Sequence, residues 1–140
     1  MIEIDAQALA DRYLAQWTEP DAAARRAAVE RLWAGNGTHI LRPPAEIREI
    51  AEELGFAHTA LEAQGHDAIE SRVARSYEQF VEKKGFTFRR RTDAMRLHGV
   101  VHFGWETVVE ATGDVVGGGS EILVLDDDGR IEADYMFPGA

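Results

Sequence analysis

The chain contains no cysteine among its 140 residues. Disulfides, a catalytic thiol and a cysteine-ligated zinc site are therefore excluded, which agrees with a reducing compartment. No apolar run approaches the ~18 residues that a membrane-spanning helix requires, and residues 1–5 lack the basic region of a signal peptide. From these absences we expect a cytoplasmic protein with no membrane partner.

Basic residues are scarce as well, at 15 lysines and arginines against 25 aspartates and glutamates, for a net charge of -10. A charge of this sign repels the phosphate backbones of nucleic acids. The single basic cluster, Arg89-Arg90-Arg91, is followed closely by Asp93. We therefore expect no nucleic-acid partner.

The composition that is present is typical of a globular protein, with 45% hydrophobic and 29% charged residues. A chain of this length buries roughly two-thirds of its unfolded surface in one core and is too short for two domains. We predict a single domain over residues 1–140.

Apolar residues recur at helical spacing in the N-terminal half. Asp21 and Asp67 are candidate helix caps, and Gly35-Asn36-Gly37 is a candidate stop. The predicted helices cover residues 3–17, 21–33, 45–54 and 65–83, with a short strand at 38–41 and a surface loop at 55–64.

From Phe86 onward the pattern changes to strict alternation between turns, which is typical of an antiparallel meander. The predicted strands cover residues 86–92, 100–110, 120–125 and 131–137. Helices followed by a meander indicate the α+β class. A twisted four-stranded sheet with helices on one face would form a cone that is open at one end.

Strand parity places two carboxylates in apolar rows, because alternate side chains of a strand share one face. Glu121 shares its face with Leu123, and Asp134 shares its face with Met136. Two acids in one apolar cavity would raise the pKa of one of them into a range useful for acid–base catalysis. Alternatively, both acids lie at a solvated rim or in salt bridges, or Arg42 neutralises one of them.

A series of short motifs can be compared with known families. In order, they are Arg12-Tyr13-Leu14 with Trp17, Asp21, Trp33, Gly65-x-Asp67-Ala68-Ile69, Phe103-x-Trp105-Glu106 and Asp128-Gly129-Arg130-Ile131. Together they resemble the SnoaL-like branch of the nuclear transport factor 2-like superfamily, which includes polyketide cyclases and ketosteroid isomerases. The resemblance covers nearly the whole chain except residues 43–64, a segment longer than is usual for the family.

The resemblance implies a cone-shaped α+β fold, with three or four N-terminal helices packed on a curved, mostly antiparallel sheet. It also implies an apolar pocket within the cone and frequent homodimerisation through the outer sheet face, where Ile122 and Val124 would form an apolar patch. Members of the family include cyclases, isomerases, epoxide hydrolases, dehydratases and non-catalytic proteins, so the resemblance does not define the chemistry.

The resemblance also assigns roles to individual residues. Tyr13 matches the tyrosine that donates to the oxyanion in ketosteroid isomerases, and Glu121 matches the acid that assists it. In those isomerases an aspartate base precedes a proline after the first strand, whereas Arg42 precedes Pro43 here. This departure argues against steroid isomerisation by that mechanism. Cyclases of the SnoaL type likewise place an acid near Glu121.

Our leading hypothesis is a protein that binds a small apolar molecule bearing a carbonyl, hydroxyl or epoxide, without metal or cofactor. As an isomerase, cyclase or hydrolase it would use Glu121 or Asp134 as acid or base and Tyr13 as hydrogen-bond donor, while Arg42 or His39 orients the polar end of the substrate. The predicted pocket wall consists of Trp17, Phe103, Trp105, Thr107, Leu123 and Met136.

The alternative hypothesis is a non-catalytic ligand-binding or dimerisation module, with a cone filled by its own side chains. In that case Tyr13, Trp17 and Trp105 serve packing, and His39 is a structural histidine with satisfied hydrogen bonds. A cavity below about 300 Å³ would favour this alternative, because small-molecule sites usually exceed that volume.

Overall fold

The computed structural model describes residues 3–139. Within this range the chain forms four α-helices, one π-helical segment and seven β-strands. In chain order these are α1 (Ala6–Gln16), α2 (Ala22–Leu32), β1 (Trp33–Leu41), α3 (Ala45–Glu53), β2 (Leu61–Gln64), α4 (His66–Ser76), the π-helical segment (Tyr77–Glu82), β3 (Phe86–Arg90), β4 (Met95–Leu97), β5 (Val100–Val109), β6 (Val115–Leu125) and β7 (Ile131–Pro138).

Aspartate side chains begin the first two helices. Asp5 accepts a hydrogen bond from the backbone N–H of Ala8, and Asp21 accepts one from that of Ala24, which satisfies a free donor in each first turn. The predicted cap at Asp67 is wrong, because α4 begins after Gly65, whose φ of 87° suits glycine. Asp67 instead pairs with Arg26 on α2.

The seven strands form one sheet in the order β2-β1-β7-β6-β5-β3, and β4 pairs with β5. All neighbouring strands are antiparallel except β1 and β7, which are parallel. The helices and the mostly antiparallel open sheet confirm the predicted α+β class and cone.

The first strand is longer than predicted and runs through the glycines that were expected to end α2. A side chain at position 37 would place its Cβ 2.7 Å from the carbonyl oxygen of Ile131. Glycine therefore allows β1 to approach β7 closely. The prediction that Gly37 helps to end α2 is therefore wrong, and this glycine instead allows the contact between β1 and β7.

Two short strands were not predicted, so the structure has seven strands rather than the five predicted. Strand β2 lies in the segment predicted as a loop and pairs with β1, and β4 pairs with β5. None of the residues of β2 or β4 is fully buried, and the two strands have only 4 and 3 residues. Their alternation is therefore too short to predict a strand.

The helices pack on one face of the sheet and enclose the core. Leu9 of α1, Val29 of α2 and Val73 of α4 meet Val101 of β5 and Leu123 of β6, and all five are buried. The described residues include no helix that is both long and apolar enough to cross a membrane.

Candidate active site

The two carboxylates singled out in the sequence both point into the interior. Glu121 on β6 and Asp134 on β7 are each 0% exposed, and the register pairs Glu121 with Met136 and Leu123 with Asp134. The predicted strand parity is therefore confirmed, and the alternative of a solvated rim is wrong. Neither acid forms a salt bridge with Arg42 among the described residues, and Arg42 itself is exposed.

Tyr13 on α1 connects the two acids. Its hydroxyl oxygen lies 2.5 Å from Asp134 Oδ2 and 3.1 Å from Glu121 Oε2. The ring is held edge-on by Trp17 and Phe103, with centroid distances of 6.1 and 5.8 Å. The position of the hydroxyl is thus fixed by packing as well as by hydrogen bonds.

Two further side chains extend the network at its ends. Trp105 Nε1 donates to Glu121 Oε1 at 3.0 Å, and His39 Nδ1 lies 2.8 Å from Asp134 Oδ2. Glu121, Tyr13, Asp134 and His39 therefore form a continuous hydrogen-bonded chain through the core.

The donors and acceptors of this hydrogen-bonded network indicate which of its oxygens carry protons. The Tyr13 hydroxyl has one proton but contacts two carboxyl groups, so a carboxyl must supply the proton for one of the two contacts. Glu121 Oε1 already accepts from the Trp105 indole, which has no acceptor. A proton on Glu121 therefore lies on Oε2, directed at Tyr13, while Tyr13 donates to Asp134 over the shorter distance.

Burial and neighbouring charge act together on the pKa values of these groups. Burial raises the pKa of Glu121 well above its ordinary value, and the nearby charge of Asp134 raises it further, against the lowering effect of the bonds from Tyr13 and Trp105. Burial, followed by the charges of Asp134 and Glu121, also raises the pKa of Tyr13 well above its ordinary value. Glu121 therefore retains a proton at a pH where an exposed glutamate has lost it.

A cavity of about 420 Å³ opens beside the hydrogen-bonded side chains of Tyr13 and Glu121. Of the residues singled out in the sequence, those on its wall are Tyr13, Trp17, Arg42, Trp105, Thr107, Glu121 and Met136. The others are not on its wall and lie in the interior: His39, Phe103, Leu123 and Asp134. The rest of the wall is mostly apolar and includes Leu14, Leu41, Phe80, Phe86 and Phe88.

Arg72 on α4 also lines the cavity and was missed by the sequence analysis. Its guanidinium lies over the Trp17 ring, 5.0 Å from the centroid, and burial lowers its pKa from the ordinary value. A signal was present in the sequence: Arg72 and Val73 follow Ile69 at i+3 and i+4, so the arginine belongs to the buried stripe of the helix.

Gln16 was missed too. It is buried, accepts a hydrogen bond from Trp33 Nε1 and donates one to the backbone carbonyl of Tyr13, each at 3.0 Å. This amide fixes the last turn of α1, which carries Tyr13. Glutamine on an amphipathic helix gave no sequence signal that separates it from a solvent-exposed residue.

The chain was compared with protein-family models, curated proteins and solved structures. Neither a protein-family model nor a curated protein matches the chain. Solved structures do match it. A candidate isomerase of the SnoaL-like family from Agrobacterium tumefaciens strain C58 has a TM-score of 0.77 at 22% identity, covering 98% of this chain and 100% of that one.

Two further solved structures have the same fold at lower similarity. A nuclear transport factor 2-like protein of unknown function from Exiguobacterium sp. 255-15 has a TM-score of 0.59 at 16% identity, covering 93% of this chain and 97% of that one. A candidate polyketide cyclase from Sinorhizobium meliloti has a TM-score of 0.58 at 10% identity, with 95% and 99% covered.

These likenesses show the fold. The chain adopts the same α+β cone fold as these solved structures, as the sequence motifs predicted. Proteins that share this fold differ in activity, so the chemistry of this chain must be inferred from its own site.

Proposed function

We propose that this chain is a cofactor-independent acid–base catalyst for a small, largely apolar molecule that carries a carbonyl, hydroxyl or epoxide oxygen. The observation that carries the proposal is the buried contact of Tyr13 with Glu121, 3.1 Å between oxygens, on the wall of a cavity of about 420 Å³. The reaction would be an isomerisation, a cyclisation or the opening of an epoxide.

Glu121 is the proton donor and acceptor in this proposal. Because its pKa is raised by burial and by Asp134, its carboxyl is available as an acid near neutral pH. After donating its proton to a substrate oxygen, the carboxylate can accept a proton from carbon or from water. Tyr13 keeps its own proton, which it donates to Asp134 in the structure. To stabilise negative charge on a substrate oxygen, the hydroxyl turns this proton from Asp134 toward that oxygen.

Asp134 and His39 are positioning residues in this scheme, because neither lines the cavity. Asp134 accepts from Tyr13 and thereby orients the hydroxyl, and its charge raises the pKa of Glu121. His39 holds Asp134 from the far side. The substrate itself would contact Tyr13, Glu121 and the apolar wall.

The volume of the cavity weighs against the alternative of a self-filled, non-catalytic module. At about 420 Å³ it exceeds the ~300 Å³ above which small-molecule sites are usually found. Its wall carries both aromatic rings and a few convergent polar groups, as small-molecule sites generally do.

A test without knowledge of the natural substrate uses small probes of the proposed class. Exchange of the α-hydrogens of tetralone in heavy water reports proton abstraction, and hydrolysis of styrene oxide reports epoxide opening. We expect the wild-type protein to accelerate at least one of these reactions. Glu121→Gln should then reduce the rate by a factor of about 100 or more.

The exposed Glu110 offers a matched control, because Glu110→Gln makes the same chemical change outside the cavity. We expect this variant to react at the wild-type rate. A Glu121→Gln variant that keeps full activity would remove Glu121 from the mechanism. Binding of the probes with no acceleration would instead support a ligand-binding module.

We also propose that two copies associate through the outer face of the sheet. The register places His102, Ile122 and Tyr135 side by side across β5, β6 and β7 on the face opposite Glu121 and Asp134. Tyr135 and Phe137 are 40% and 41% exposed there. An exposed apolar row at the centre of a sheet is typical of an interaction surface.

A further inference from the structure

Arg72 is a half-buried cation that pairs with no carboxylate among the described residues. Its Nε atom is buried and has no hydrogen-bond partner, and among the described residues its guanidinium forms no salt bridge. Other arginines do pair with carboxylates, as Arg26 does with Glu70 and Arg90 with Asp11. A buried N–H group without a hydrogen-bond partner is costly, so the position of the Arg72 Nε on the cavity wall requires an explanation.

The charges on the cavity wall differ in sign from the charge of the whole chain. The described ionisable residues on the wall are Tyr13, Arg42, Arg72 and Glu121. With Glu121 and Tyr13 protonated, the charged groups on the wall itself are the two arginines, and the charge of Asp134 lies behind the wall. The whole chain, by contrast, carries a net charge of -10. Arg42 is exposed, while Arg72 is half-buried against Trp17.

We infer that the cavity binds a carboxylate, and that Arg72 is the residue that recognises it. The planar guanidinium presents parallel N–H donors that match the two oxygens of a carboxylate. The ligand class is therefore an apolar monocarboxylic acid, with its hydrocarbon portion against the aromatic wall. This inference rests on the proposed function, since it names the substrate class of the same cavity.

The geometry relates this anion site to the proposed reacting groups. Arg72 lies close enough to Tyr13, Glu121 and Asp134 for a negative charge on any of them to raise the pKa of its guanidinium. A ligand carboxylate on Arg72 would hold a carbonyl, hydroxyl or epoxide elsewhere in the same molecule toward Tyr13 and Glu121. Ser76, one helical turn after Arg72, lines the same cavity and can supply another hydrogen bond.

The test compares acids with their uncharged amides, which have nearly the same shape. Isothermal titration near neutral pH would measure the binding of phenylbutanoate against phenylbutanamide and of naphthylacetate against naphthylacetamide. We expect the wild-type chain to bind at least one carboxylate about tenfold or more tightly than its amide. Arg72→Met should abolish this preference while leaving amide binding within a few-fold.

Arg75 provides the matched control, because it lies on the same helix with its side chain 79% exposed and does not line the cavity. Arg75→Met should keep the full preference for the carboxylate. Arg72→Lys retains the positive charge without the planar fork, and should keep only part of the preference. It also serves as the second variant if Arg72→Met does not fold, as judged by circular dichroism.

Equal binding of acid and amide to the wild-type chain would overturn the inference, as would a preference that survives in Arg72→Met. Both results leave catalysis by Glu121 intact. Conversely, a carboxylate preference together with unchanged probe turnover in Glu121→Gln would refute the proposed catalysis and support the anion site. Failure of the wild-type chain to bind any of the four probes would overturn the carboxylate site, whereas the proposed catalysis is overturned only by the absence of tetralone exchange and styrene oxide hydrolysis.

Discussion

Glutamine at position 121 reproduces the hydrogen-bonding pattern of a protonated glutamic acid at that position. Its amide oxygen can accept from Trp105 Nε1, and its amide N–H can donate to the Tyr13 hydroxyl, as the Glu121 proton does. The substitution therefore preserves the buried chain of hydrogen bonds while removing a transferable proton. This makes Glu121→Gln a test of chemistry rather than of folding.

Glu121→Gln should also change the way in which the free energy of unfolding depends on pH. The folded-state pKa of Glu121 is raised above an unfolded value of about 4.3. Its stabilising contribution is thus fully present below about pH 4 and is lost as the pH rises through the folded pKa, because the unfolded chain releases its proton first. In Glu121→Gln this loss disappears.

Urea unfolding at a series of pH values measures the effect. Between about pH 4 and the folded pKa, the free energy of unfolding of Glu121→Gln should rise relative to wild type by up to about 1.4 kcal/mol per pH unit. Glu110→Gln, at an exposed position, serves as the control and should follow the wild-type curve. Parallel curves for Glu121→Gln and wild type would show that burial does not hold a proton on Glu121.

Asp134→Asn should lower the pKa of Glu121. The charge of Asp134 is the second-largest cause of the raised pKa, after burial, and asparagine removes that charge while keeping an acceptor for Tyr13. The measurement is a titration of the carbon-13 resonance of the Glu121 carboxyl. A midpoint that stays in place or rises would show that the two acids do not interact as the structure indicates.

Much of this site could be predicted from the sequence, because strand parity and the family resemblance each assign a position or a role to individual residues. Alternation fixes which face of a strand a side chain occupies, which predicts Glu121 and Asp134 on one face, and the family resemblance adds Tyr13 to them. The contact of Trp105 with Glu121 could not be predicted, because it depends on a side-chain rotamer. Arg72 was overlooked because a charged residue on an amphipathic helix is usually solvated.

At the level of elements, the approach of β6 to β5 and β7 depends on glycine. A Cβ at Gly119 would lie 2.6 Å from Cζ2 of Trp105 and 2.7 Å from the carbonyl oxygen of Phe137. The second contact is with backbone, which cannot move away without disturbing the ladder. The glycines of β6 thereby allow the Trp105 indole to lie flat enough to reach Glu121.

Gly119→Ala should lower the free energy of unfolding by about 2 kcal/mol or more, because it overpacks a closed strand contact. Gly117→Ala is the control in the same strand, since a Cβ there meets nothing nearer than Thr107, at 3.8 Å. We expect its effect to stay within about 1 kcal/mol. Chemical denaturation of both variants checks this, and equal losses would contradict the steric argument.

Helices and strands could be predicted from the sequence wherever their buried apolar residues recur at helical or strand spacing. Helices α1 and α2 and strands β5 and β7 were found close to their observed bounds, because one face of each packs on the core. Strand β2 was missed because its pairing partner, not its composition, makes it a strand.

For the whole molecule, the proposed dimer follows from an apolar row on the outer face of the sheet. Placing a charge in the middle of that row, with Tyr135→Glu, should shift the protein from dimer to monomer, because two like charges would face each other across a two-fold axis. Ala15→Glu, at an exposed position of α1 on the side of the sheet that the helices cover, is the control. Sedimentation velocity at micromolar concentration measures both, and a monomeric wild-type protein would contradict the proposal.

The indole of Trp105 has a consequence for experiments on this molecule. Of the three tryptophans, Trp33 donates to an amide and Trp17 Nε1 has no partner among the described residues, whereas Trp105 donates to an ionisable carboxyl. Its emission and its indole proton resonance should therefore follow the ionisation of Glu121. The chain contains an intrinsic indicator of its own proposed acid, which can be monitored with no added label and before any substrate is known.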